Sequence, residues 1–232
     1  MRYFIFQGKP FYRVLVMQIL FTFVDALAII TILSLGIGAA VNVIGLPFLS
    51  SLGQSRMIYP LLITIITREL GPLLAAFIVI ARSATAIATE MASMVISHEV
   101  EAYISTGVDP IEQLGVPRFL GVCIAMFLLN IYFSIFGLAG SFAVAQLFNA
   151  MPAALYFNNL LHNLTLADLL ISLFKSVCFG VIISLMALRK GFSVDRASTE
   201  IPVAGLQAVS GSFMWCILAD ILLTTLYYTA LR

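Results

Sequence analysis

The chain has 232 residues, of which 62% are hydrophobic and 10% charged, with 12 Lys and Arg against 11 Asp and Glu for a formal net charge of +1. A soluble domain is about half apolar and a quarter charged, so this composition excludes an ordinary water-soluble globule and excludes disorder with it. The near-neutral balance also argues against a nucleic-acid-binding surface.

Residues 1–13 carry Tyr3, Phe4, Phe6, Phe11 and Tyr12 beside Arg2 and Lys9, a pattern suited to a short interfacial segment. Five apolar stretches follow, at about 14–48, 57–92, 119–148, 166–188 and 203–231. A bilayer core of about 30 Å needs about 20 helical residues, so each can span and the first two are too long. Gly36, Gly38, Gly45 and Pro47 offer exits from the first, and Gly71 with Pro72 interrupts the second. A split into half-helices, giving six or seven segments, is the alternative. The predicted class is therefore an all-α integral membrane protein with five transmembrane helices in one domain. Cys123, Cys178 and Cys216 stand singly in apolar runs, which suggests neither a disulfide framework nor a metal site.

Lys and Arg set the orientation. Arg2, Lys9, Arg13, Arg118, Arg189, Lys190 and Arg196 fall on one side, against Arg56 and Arg232 on the other. The amino terminus is accordingly expected in the cytoplasm and the carboxyl terminus outside. A cleaved signal peptide is not expected, because the first apolar stretch runs far beyond an h-region. The longest connection, between spans two and three, is then cytoplasmic. Glu99 and Glu101 suit a first helical turn there, and Gly107 then Pro110 suit its end. A short helix along the inner face is predicted.

No nucleotide-binding loop, dinucleotide fingerprint, zinc-protease or serine-hydrolase motif occurs, so the chain is not read as an enzyme. His98 and His162 are isolated residues near membrane boundaries. The informative residues are ionisable groups within spans, each of which must pair, meet water or serve a function. They are Asp25, Arg68, Glu69, Arg82, Glu90, Lys175 and Asp220. Helical rise puts Lys175 and Asp220 at similar depth, as a structural pair or a proton relay. Arg82 and Glu90 share a helix face beside the small-residue ridge Ala84, Ala88 and Ala92, which suits a tight helix contact. Arg68 and Glu69 are adjacent, point about 100° apart, and cannot simply neutralise each other. Placed just before Gly71 and Pro72, they suggest either a bend lined by a wet cavity or a buried structural pair.

Taken in order, Arg68-Glu69-Leu70-Gly71-Pro72, Ala81-Arg82-Ser83, Ala88-Thr89-Glu90-Met91, Glu99, Gly107-Val108-Asp109-Pro110, Pro117-Arg118, Lys175-Ser176 and Asp220 with Leu223-Thr224 resemble the MlaE (YrbE-type) permeases. These are the membrane subunits of ABC transporters that work with Mce-domain proteins. The resemblance implies a homodimer in the bacterial inner membrane that moves phospholipid and maintains outer-membrane lipid asymmetry. It also implies a cytoplasmic ABC ATPase dimer, an Mce-domain (MlaD-like) oligomer on the periplasmic side and a small STAS-type accessory subunit. ATP and Mg would be bound by the ATPase, with no cofactor in this chain. Carried over by position, the lipid site would comprise Arg68, Glu69 and Leu70 with Val41, Phe48, Leu49 and Leu52. The ATPase-coupling element would run from about His98 to Asp109, through Glu99, Glu101 and Gly107. Ala84 and Ser93 stand where the family has glycine. On the residues alone, an ion-coupled secondary transporter using Asp25, Lys175 and Asp220, or a non-transporting membrane scaffold, remains open.

Overall fold

The computed structural model describes residues 9–149, 152–195 and 197–230. Residues 1–8, which carry most of the expected interfacial segment, lie outside the described residues, as do Arg196 and Arg232 of the charge count. Lys9 to Arg13, also assigned to that segment, are instead the opening turns of the first long helix.

Every long element is helical, and no strand occurs among the described residues. Helix α1 spans Lys9–Ser51, and the helical rod α2 spans Ser55–Ile96. A short helix α3, Glu99–Ser105, precedes α4, Val116–Asn149. Helix α5 covers Ala153–Asn163, α6 Leu166–Phe192 and α7 Glu200–Ala230. Five of these, α1, α2, α4, α6 and α7, are long and apolar enough to cross a membrane.

The expected exits from the first span are not used. Helix α1 continues through Pro47, and its length carries it past the bilayer core at one or both ends. Gly38 is a packing position, because a Cβ there would run into the Gly137 carbonyl of α4. Gly140 presses on the Leu35 backbone in the same crossing, so the two helices meet backbone to backbone through small residues. Polar bonds lock the contact: Asn42 Nδ2 donates to the Ser141 carbonyl and to Ser141 Oγ, both at 2.9 Å, and Thr31 Oγ1 meets Tyr132 OH at 2.8 Å.

Helix α2 runs through the centre of the bundle, with Ile66, Ala75, Ala76, Ile80, Ala84 and Ala88 all excluded from solvent. Its Ala84, Ala88 and Ala92 ridge is fully buried, and a Cβ on Gly191 of α6 would lie 2.9 Å from the Ala88 carbonyl. Small residues facing small residues let α2 and α6 approach closely. Helix α7 leaves Leu206, Met214, Trp215, Leu218, Ile221 and Leu222 exposed, a continuous apolar surface suited to lipid or to another subunit.

Helix α3 folds back after α2 through His98, whose φ of 60° is left-handed and whose Nδ1 lies 2.9 Å from Glu101 Oε2. It ends at Gly107, φ 78°, where Gly107 N–H donates to Ile104 O and Val108 N–H to Tyr103 O, each at 3.0 Å. That paired pattern is a Schellman cap, which glycine adopts without a Cβ penalty. Helix α5 has no counterpart among the predicted elements.

Replacing Gly140 with valine should drive α1 and α4 apart and lower stability by about 1–3 kcal/mol. The readout is the thermal midpoint in mild detergent. Gly36→Ala, whose added Cβ meets nothing within 4 Å, should leave it unchanged or slightly higher.

Candidate functional site

The site begins with a proline. Helix α2 is α-helical over Ile58–Leu62, widens to a π-helix over Ile63–Leu70 and resumes as α over Gly71–Val79. Pro72 has no N–H, so one carbonyl on the preceding turn necessarily lacks its donor. In the π register Gly71 N–H reaches Ile66 O, five residues back, which leaves the Thr67 carbonyl as the orphan. Ser172 Oγ of α6 donates to that carbonyl at 2.7 Å, and Asn130 Nδ2 of α4 donates to Ser172 Oγ at 2.8 Å. The interruption expected at Gly71 and Pro72 is therefore a wide turn held from two other helices, and the rod remains continuous.

The wide turn presents Arg68 and Glu69 toward α6 and α7. Arg68 Nε lies 3.2 Å from Glu69 Oε1, its Nη1 lies 3.4 Å from Asp168 Oδ1, and its Nη2 donates to Tyr228 OH. The guanidinium carbon sits 5.0 Å from the Tyr227 ring centre and 4.9 Å from that of Tyr228, within cation–π range. Asp168 is itself fixed by the capping box that starts α6, its Oδ2 accepting from Thr165 Oγ1 at 2.6 Å. One level along, Lys175 Nζ is surrounded by Glu69 Oε2 at 2.6 Å, Thr224 Oγ1 at 2.7 Å and Asp220 Oδ1 at 2.9 Å. Thr224 Oγ1 also donates to Glu69 Oε2 at 3.1 Å. The Lys175 side chain is fully buried, while Glu69 keeps 27% of its side-chain surface. A lone ion at this depth costs about 2.5–3.5 kcal/mol on insertion scales, and sharing five charges across three helices removes that penalty.

Several expectations need correction. Arg68 and Glu69 do touch, because long side chains on a widened turn can curl toward each other. Within one chain the pair is engaged by Asp168 and Tyr228 on the Arg68 side and by Lys175 and Thr224 on the Glu69 side, while Glu69 keeps part of its surface exposed. Arg82 and Glu90 are not partners of each other. Arg82 Nη2 lies 3.7 Å from Asp25 of α1, and Glu90 pairs at 2.9 Å with Arg118 at the start of α4. Of the apolar residues, Phe48 and Leu52 are exposed, Val41 and Leu70 are half-buried, and Leu49 is turned into the core. His98, Glu99, Glu101, Gly107 and Asp109 are exposed around α3. Sequence reasoning missed Asp168, Tyr227 and Tyr228. The pattern Thr165-Leu-Ala-Asp168 at the head of span four was the available signal for the first.

Comparison with known proteins gives one consistent answer. Residues 15–226 match the family described as Permease MlaE. A probable ABC transporter permease protein of Rickettsia typhi is 28% identical over 220 residues, covering 94% of this chain and 85% of that protein. The intermembrane phospholipid transport system permease protein MlaE of Haemophilus influenzae is 25% identical over 228 residues, covering 96% and 87%. The chloroplastic protein TRIGALACTOSYLDIACYLGLYCEROL 1 of Arabidopsis thaliana is 25% identical over 224 residues, covering 97% of this chain and 64% of that protein.

Lys175→Met should cost about 3–5 kcal/mol, because Asp220 loses its cation and Glu69 keeps only Arg68 and the Thr224 hydroxyl. Adding Glu69→Gln and Asp220→Asn should restore most of the thermal midpoint, as the burden is the uncompensated charge. Ser172→Ala should cost about 1–3 kcal/mol by leaving the Thr67 carbonyl unpaired, read in the same melting assay.

Proposed function

The chain belongs to the MlaE permease family, and we propose that it is the membrane subunit of an ATP-driven transporter moving phospholipid, or a related lipid, between the bacterial inner membrane and an Mce-domain protein. The observation that carries this reading is the Arg68 network: four charges within the spans, Arg68, Glu69, Lys175 and Asp220, joined to Asp168 at the head of α6, with Glu69 part-exposed and Tyr228 half-exposed on one flank. Two copies meeting across that flank would enclose a chamber with a polar patch in an apolar wall, which is what an amphiphile needs. The exposed Ile44 and Phe48, at i and i+4 on α1, Leu52 just past its end, and the apolar surface of α7 supply wall of that kind.

The network refines the head-group contact. Each Arg68 nitrogen already has an acceptor, so a lipid phosphate would reach the guanidinium by displacing the one on the most exposed residue, the Tyr228 hydroxyl. Glu69, held by Lys175 and Thr224, would face the chamber as the polar contact for an amine or water.

The energy source is a separate cytoplasmic ABC ATPase dimer that binds ATP and Mg and docks on α3. That helix suits the role because both of its ends are fixed, by left-handed His98 and by the Gly107 cap, so a push on α3 is delivered to α2 and α4. Its outward side offers Ile104 for contact, 61% exposed. On the opposite face an MlaD-like Mce-domain oligomer would receive or deliver lipid, and a STAS-type subunit would accompany the ATPase. With the amino terminus cytoplasmic and the carboxyl terminus periplasmic, α3 faces inward and α5 outward. Coupling requires two chamber states of different lipid affinity, which nucleotide-driven closure would set.

Co-reconstituted with its ATPase in vesicles, the protein should move a fluorescent phospholipid to the Mce-domain partner with ATP and not with a non-hydrolysable analogue. Transfer that persists without the ATPase and collapses with the proton gradient would establish an ion-coupled transporter instead. Ile104→Glu should leave folding intact and reduce ATPase copurification about tenfold, as charging an interface core does.

A further inference from the structure

Helix α5 places a second polar constellation outside the Arg68 network. Its inner side is anchored: Tyr156 is buried, donates from its OH to Ser141 Oγ at 3.0 Å, and meets the Tyr59 ring edge-on at 5.7 Å. Leu155, Asn159, His162 and Asn163, at i, i+4, i+7 and i+8, form another face of the same helix. That face and the Ser55–Tyr59 start of α2 enclose a cavity of about 670 Å³, within the size range of small-molecule sites.

The chemistry of the lining is one-sided. Arg56 brings a permanent positive charge and His162 a ring N–H, while the Asn163 amide already donates from Nδ2 to the Asn159 carbonyl at 2.7 Å. No carboxylate lines the cavity, and neither Arg56 nor His162 has a hydrogen bond or ion pair among the described residues. Asn159 is already committed, donating from Nδ2 to Tyr59 OH at 3.3 Å, so it acts as a strut. Leu46, Ile58 and Leu155 supply the apolar part of the lining, its floor, and the polar residues supply its rim. A cationic rim over an apolar floor complements an anion that carries a hydrocarbon chain. A free phosphate would satisfy the rim and gain nothing from the floor.

We infer that this cavity holds an anionic phospholipid, its phosphate on Arg56 and His162 and an acyl chain against Leu46, Ile58 and Leu155. As a waiting place on the outward side, this deepens the lipid-permease reading and rests on it for its role. Binding itself requires neither ATP nor a partner.

The test is native mass spectrometry of the full chain in non-ionic detergent with added phosphatidylglycerol, phosphatidylcholine or inorganic phosphate. Wild-type protein should retain phosphatidylglycerol in preference to phosphatidylcholine. Arg56→Gln should lower that retention about tenfold, the loss expected for one charge-assisted hydrogen bond. His162→Gln should give a smaller loss. Both residues are exposed, so folding is spared, and Leu155→Asp attacks the floor independently. Unchanged retention in Arg56→Gln and Leu155→Asp overturns the inference, as does inorganic phosphate displacing the lipid. Because the measurement uses no ATPase, the ATP-driven reading can fail while this site stands, and the reverse.

Discussion

Everything in the centre of this bundle is arranged around an ammonium group that cannot reach water. Lys175 lies two and a half turns into α6 with no exposed surface, and an ion so placed is tolerated only if anions are brought to it. Glu69 comes from α2 and Asp220 from α7, so three helices are pinned by one nitrogen. Because Glu69 also meets Arg68, and Arg68 meets Asp168, the neutralisation extends as a chain rather than an isolated pair. Removing one link exposes its neighbours to the full desolvation penalty, which makes the chain cooperative.

That chain exists because α2 is locally wide. Pro72 removes a donor, the helix takes the π register just before it, and the stranded Thr67 carbonyl is served by Ser172 and, behind it, Asn130. Backbone repair and charge pairing thus use the same face of α6, with Ser172 and Lys175 three residues apart. A single helix contact does both, so Arg68 and Glu69 are paired on the same wide turn that the proline creates.

The five spans were legible because length and hydropathy alone decide them, and helical rise put Lys175 and Asp220 at one depth, where the two lie 2.9 Å apart. Partner choice was less legible. Arg82 and Glu90 share a face, yet each is claimed by a different helix, Asp25 on α1 and Arg118 on α4, because neighbours across an interface outcompete a residue two turns away on the same rod. Under α geometry adjacent Arg68 and Glu69 point about 100° apart, and a π turn changes that geometry. Helix α5, at eleven residues, is too short for a span and carries no Asp, Glu, Lys or Arg to mark it. Tyr227 and Tyr228 carry no mark in the sequence; only the fold brings Arg68, 160 residues away from Tyr228, onto them.

The π register of α2 has a bearing on how this chain tolerates length changes. A turn closed through five residues holds one residue more than its α counterpart, so the rod already contains a slack position. Deleting one residue between Ile63 and Leu70 could be absorbed by the helix reverting to α form, with both flanking segments keeping their outlooks. The same deletion within Gly71–Val79 would rotate everything beyond it by about 100° and unseat the ridge at Ala84 and Ala88. Indel tolerance along this one helix should therefore be sharply uneven, and greatest at its two wide segments, Ile63–Leu70 and Ile80–Ala84.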